Sequence, residues 1–320
     1  MRVVAPQHAT PAFVVDPVRD SVHQPDPELG MVLRPSIAVP FVFGTHMRTN
    51  AMGLRDAEIE PKRPNEIRIL SLGDSYAMGY GVELEQSYGK VVERELAQRY
   101  PGRRFSVVSV AVDGYGTQQM LRAYRRFRDR LRPDLVLATF VAGNDVDDNA
   151  LFERRLQTHL NRPLGTLASH SQLAQLLMRV TFPAWFFFGN RDPGRIAHTI
   201  DLLRELEGEF RKSSMPYLML VIPARHQIRP ELEPAVGLLL RFGLDGLVYR
   251  QNRAVIAHFA RERIPFIDLL PPLVAGDRQA RVSFSRDSHL NARGHAIVAR
   301  EIVGRLQRDF GGVLAGKALR

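Results

Sequence analysis

Four short clusters carry residue types suited to acyl transfer: Gly73-Asp74-Ser75-Tyr76, Asp113-Gly114-Tyr115-Gly116-Thr117, Gly143-Asn144-Asp145 and Asp287-Ser288-His289. A serine hydroxyl is a poor nucleophile until a neighbouring base accepts its proton. An imidazole can take that proton and return it to a leaving alcohol, while a carboxylate fixes its tautomer and stabilises the imidazolium. Ser75, His289 and Asp287 supply these three types. Taken singly each cluster is an ordinary turn, because Gly, Asp, Asn and Ser all favour turns for local reasons. Their placement along the chain makes the case.

The apolar patterning supplies that placement. Strands are expected at Ile67–Leu72, Phe105–Val110, Asp134–Val141, Tyr217–Ile222 and Pro265–Leu269, with helical patterns near 87–100, 117–131, 194–213, 247–263 and 293–308. The run at 134–141 is almost continuously apolar, as in a strand covered on both faces. Alternating strand and helix predicts an α/β fold: a flavodoxin-like three-layer α/β/α arrangement around a parallel sheet of about five strands. Ligands of such sheets bind beyond the carboxyl ends of the strands. Three clusters directly follow strands, and the fourth lies between the last strand and the final helix.

These residues resemble the SGNH (GDSL) hydrolase superfamily. Ile69-Leu70-Ser71-Leu72-Gly73-Asp74-Ser75 is similar to the first family block, Gly114 to the second, Gly143-Asn144-Asp145 to the third, and Asp287 with His289 to the fourth. The likeness runs from about residue 66 to 308 with the blocks in family order. It departs in one respect: many members place two residues between the last Asp and His, whereas only Ser288 stands here. The resemblance implies a serine esterase with catalytic Ser75, Asp287 and His289. The oxyanion would take the backbone N–H groups of Ser75 and Gly114 and the side-chain amide of Asn144. Gly116 competes with Gly114 for its place. Asp74 and Asp145 are expected to brace their loops, His295 to pack on the final helix, and His226 to lie at the same rim. Short acyl esters, with O-acetyl groups on carbohydrate preferred, are the expected substrates. The same triad would serve an O-acyltransferase, and a non-catalytic flavodoxin-like binding module is the remote alternative; the P-loop ending and the dinucleotide glycine spacing are both missing from the Gly73–Gly81 loop. No motif calls for a metal or organic cofactor.

Around this domain, 66–310, the chain reads as a proline-rich arm at 1–65, a long insertion at about 146–193 and a tail at 311–320. The arm segment Asn50-Ala51-Met52-Gly53-Leu54-Arg55-Asp56 is similar to segments preceding the catalytic domain in family members associated with bacterial surface polysaccharides. Within the insertion, Phe182-Pro183-Ala184-Trp185-Phe186-Phe187-Phe188 is expected either to join the core or to line a binding surface. The chain of 320 residues has a net charge of +10, and only four of its 44 basic residues are lysines. Arginines between Leu121, Tyr124, Phe127 and Leu131 are expected on the wet face of a helix, so the charge reads as surface composition and no nucleic-acid partner is expected. Neither a signal peptide nor a membrane span is read, so the compartment stays open. With no cysteine, disulfides are excluded.

Overall fold

The computed structural model describes residues 22–160, 192–285 and 287–316. Five strands form an all-parallel sheet: β5 (Glu66–Gly73), β6 (Arg104–Ala111), β7 (Leu135–Val141), β8 (Tyr217–Ile222) and β9 (Phe266–Asp268), in the spatial order β6-β5-β7-β8-β9. Every residue of β5, β7 and β8 is buried, which explains their unbroken apolar runs. Two charged residues interrupt β5, and they satisfy each other: Glu66 takes the Arg68 guanidinium at 2.7 Å.

The twelve helices among the described residues are α1 (Ser75–Met78), α2 (Tyr88–Arg99), α3 (Thr117–Leu131), α4 (Asp145–Leu160), α5 (Pro193–Lys212), α6 (Arg225–Ile228), α7 (Pro234–Arg241), α8 (Asp245–Val248), α9 (Arg250–Arg261), α10 (Leu270–Gln279), α11 (Ala292–Asp309) and α12 (Gly311–Leu314). Helices α2 and α11 pack together on one side of the sheet, while α3, α5 and α9 pack in sequence on the other. The result is the three-layer α/β/α arrangement that the alternation predicts. The first crossover runs outward from β5 to β6, and the next returns past β5 to β7. The topology therefore switches between β5 and β7, the position at which ligands of open α/β sheets bind, beyond the strands' carboxyl ends.

Ahead of the sheet, the chain forms two antiparallel hairpins, β1 (His23–Asp26) with β2 (Gly30–Leu33) and β3 (Ala38–Pro40) with β4 (His46–Arg48). Their apolar side chains Leu29, Leu33 and Met47 belong to the same core as the sheet. Arg55 is 2% exposed and donates to the carbonyls of Met78, Gly79, Val82 and His46. One arm side chain thus clamps the turn that follows α1.

The arginines of α3 lie on its outer face, as expected, and pair there with acids of distant elements. Arg126 forks onto both oxygens of Asp26 at 2.8 Å and also pairs with Glu28, tying α3 to the first hairpin. Arg125 pairs with Glu205 and Glu209 of α5. Sequence periodicity places such arginines outside the core but cannot name a partner about a hundred residues away.

The expected insertion, about 146–193, begins within the helix α4 (Asp145–Leu160), and α5 resumes the chain at Pro193. The aromatic segment Phe182–Phe188 lies outside the described residues. Residues 311–314, expected in a tail, form α12 and bury Val313 and Leu314. No helix among the described residues is long and apolar enough to cross a membrane.

Candidate active site

Ser75 is the first residue of α1, directly after β5. Asp74 caps that helix by accepting the Tyr76 N–H at 2.9 Å, which fixes the turn presenting Ser75. His289, 214 positions further on, places Nε2 2.7 Å from Ser75 Oγ. Its Nδ1 lies 2.6 Å from Asp287 Oδ1. A carboxylate only accepts, so Nδ1 carries the proton and Nε2 is left bare to accept the Ser75 hydroxyl. All three residues are buried, at 6%, 2% and 4% exposure for Ser75, His289 and Asp287.

The short Asp287-Ser288-His289 spacing works through a turn. Asp287 Oδ1 also accepts the His289 backbone N–H at 2.8 Å, an Asx turn that brings ring and carboxylate together within three residues. A closed loop holds this turn: Ser283 bridges Leu290, and the Phe284 N–H donates to the His289 carbonyl at 3.1 Å. Arg225, at the start of α6, donates to the Asp287 carbonyl at 3.2 Å. His226 follows it, half-buried at the same end of β8.

The expected N–H donors cluster at this end of the sheet. Gly73 pairs in register with Ala111, so Ser75 and Gly114 leave adjacent strands at equivalent heights. Gly114 has φ +78°, a left-handed conformation that a side chain would resist. Gly116 has ordinary extended geometry and a different need for glycine, since a Cβ there would run into the Asn149 amide. The Gly114–Gly116 ambiguity is thereby divided between conformation and space. No acceptor among the described residues takes the backbone N–H of Ser75 or of Gly114.

Asn144 follows β7, across the switch point from Ser75, but its amide is engaged. Nδ2 donates to Asp74 Oδ2 at 3.0 Å and to Asp148 Oδ2 at 2.8 Å. Asp145 accepts the Val141 N–H at 3.0 Å, bracing the end of β7. Three carboxylates, Asp74, Asp145 and Asp148, thus lie buried behind the serine. Burial, reinforced by Asp148, pushes Asp74 up to about 7 despite the opposing Asn144 hydrogen bond. Burial and both neighbours push Asp145 well above the usual carboxylate range. His295 is a core residue: Tyr88 N–H donates to its Nδ1 at 3.2 Å, and burial pushes it down to about 3.

Sequence reasoning missed the rings around His289. Tyr80 lies 4.3 Å from its centroid at 30°, and Tyr76 lies 4.9 Å away at 44°. Tyr76 also donates to the Ser288 carbonyl at 2.9 Å. The signal was two tyrosines close to Ser75; Tyr80 lies beyond α1, after the left-handed Gly79 that ends it, so no helical period predicts its place. Asp148 sits one helical turn beyond Asn144. Among the described residues, no group of three or more His, Asp or Glu side chains is arranged to hold a metal ion.

A family profile described as GDSL-like Lipase/Acylhydrolase matches residues 71–297. No curated protein matches the chain by sequence. Among solved structures, TesA is 15% identical, with 75% of this chain and 98% of that chain covered at a TM-score of 0.47. A lipolytic G-D-S-L protein from Veillonella parvula is also 15% identical, over 77% and 98% of the two chains, with a TM-score of 0.45. The lipase Lip_vut3 from a goat rumen metagenome is 13% identical, over 75% and 97%, with a TM-score of 0.49.

Proposed function

The chain belongs to the GDSL-like lipase/acylhydrolase family and is a serine ester hydrolase, and from that premise we propose that Ser75 is its nucleophile, His289 its base and Asp287 the group that orients the base. The carrying observation is the unbroken relay from Asp287 Oδ1 to His289 Nδ1 and from His289 Nε2 to Ser75 Oγ. In acylation, Oγ bonds to the acyl carbon as its proton passes to Nε2. The tetrahedral intermediate then collapses, the alcohol–acyl bond breaks, and Nε2 gives the proton to the departing alkoxide. Water repeats the sequence in deacylation: Nε2 takes its proton as its oxygen bonds to the acyl carbon, the Oγ–acyl bond then breaks to release the acid, and Nε2 returns the proton to Oγ.

The N–H groups of Ser75 and Gly114, which no acceptor among the described residues takes, support an oxyanion site formed by both backbones, with Asn144 as third donor once an N–H swings from a carboxylate. The substrate in this reading is a short acyl ester, preferably O-acetyl, of a carbohydrate hydroxyl. The burial of Ser75, only 6% exposed, favours a small acyl group, and the similarity of the 50–56 segment to polysaccharide-associated relatives favours the sugar alcohol. Purified protein should hydrolyse acetyl esters, and Ser75→Ala should lower kcat at least ~10³-fold. A fluorophosphonate should label Ser75. Wild-type turnover by the Ser75→Ala protein, or labelling at another serine, would remove Ser75 from the role.

A further inference from the structure

An aromatic surface runs outward from the histidine to solvent. Tyr80 lies against His289, and the Phe43 ring meets Tyr80 edge-on at 6.3 Å and 86°. Phe43 also lies 4.7 Å from Phe284 at a 31° tilt. Both phenylalanine rings cover Gly81, where an added Cβ would come within 2.8 Å of each. Gly81 has φ +80°, so left-handed backbone and flat space coincide under the rings.

Phe43 occupies a conformation that its own local energetics oppose. Its φ of 56° and ψ of 24° lie in the left-handed region, an outlier for so bulky a residue. It stays 52% exposed, so core burial gains little from it. Strain of this kind clusters at active sites and ligand clamps. The turn at Val42–Gly44, carried by the arm, holds this ring out over the loop that bears His289.

Resting on the catalytic reading above, we propose that Phe43 and Phe284 form a stacking platform for the sugar ring of the leaving alcohol. The base returns its proton to that alcohol, so the alcohol lies on the His289 side, from which the aromatic surface extends. A pyranose presents a face of C–H groups to the negative face of an aromatic ring and hydroxyls at its edges. His46 and Glu83, an exposed pair 3.3 Å apart, provide polar groups at this rim. An acyl chain would gain less from the same surface, since a chain lying on a half-exposed ring remains largely in water.

Two measurements test the platform. The first compares kcat/KM for methyl 6-O-acetyl-β-D-glucopyranoside with that for ethyl acetate, which shares the acyl group and lacks the ring. Phe43→Asn suits the left-handed backbone and removes the ring; it should lower this ratio at least tenfold, whereas Phe43→Tyr should hold it within threefold. The second titrates the same glycoside into the Ser75→Ala protein by NMR, where adding Phe43→Asn should weaken binding at least fivefold. An unchanged ratio with unchanged binding overturns the platform, as does a loss that appears between ethyl octanoate and ethyl acetate. If binding weakens as expected but the wild-type protein hydrolyses neither ester, the platform stands and the catalytic reading falls.

Discussion

Asp287 uses one carboxylate oxygen to hold His289 twice, at the backbone N–H and at ring Nδ1, 2.8 and 2.6 Å away. The first bond fixes the backbone and the second fixes the ring. Orientation therefore depends on the length of the Asp side chain as well as its charge.

Two substitutions separate these contributions. Asp287→Asn keeps an acceptor oxygen but removes the charge that stabilises the imidazolium, so kcat should fall ~10²–10⁴-fold with KM little changed. Asp287→Glu keeps the charge and breaks the Asx turn, and should also lower kcat by at least ~10-fold. Steady-state kinetics check both, with circular dichroism confirming the fold. Wild-type kcat in the Asn variant would leave Asp287 only a turn residue.

Asn144 gives both N–H groups of its amide to carboxylates. If one swings to the oxyanion during reaction, Asn144→Ala should lower kcat ~10²–10³-fold and raise KM less. A variant with kcat within threefold of wild type and a lowered melting temperature would instead make Asn144 a brace between Asp74 and Asp148.

The clamp of Arg55 on four carbonyls suits a planar fork with several donors, which an ammonium cannot match. Arg55→Lys should destabilise the protein by about 2–4 kcal/mol, read as a lower urea midpoint. Because the clamped turn adjoins Tyr80, kcat should fall as well. An unshifted midpoint would show that the arm contributes little to the catalytic turn.

Asp74 binds its proton more tightly in the folded than in the unfolded protein, being pushed up to about 7 by burial. Its contribution to stability is complete below about pH 4 and is lost as pH rises through about 7. Asp145, raised by the same causes, acts in the same direction. Urea unfolding should therefore show stability falling between pH 4 and 7 on the order of 1 kcal/mol per pH unit from this cluster. Asp74→Asn, which has no proton to lose, should flatten that slope; an identical slope would show that Asp74 does not titrate there.

Much of the fold and the site follows from the chain alone, for local reasons. Strands buried on both faces need continuous apolar residues, so β5, β7 and β8 announce themselves. Helices covered on one side need a 3.6-residue period, so α3 and α11 do too. Turn-forming Ser75, Gly114, Asn144 and His289 clusters at the ends of those elements then fall at one rim of the sheet, because parallel strands share a direction. The sequence does not determine which distant groups meet. Arg55 on the Met78–Val82 turn, Arg126 on Asp26, Tyr80 on His289 and the Asn144 amide between two acids are contacts without a local period. They depend on how the arm and loops pack, and only the assembled tertiary structure decides that.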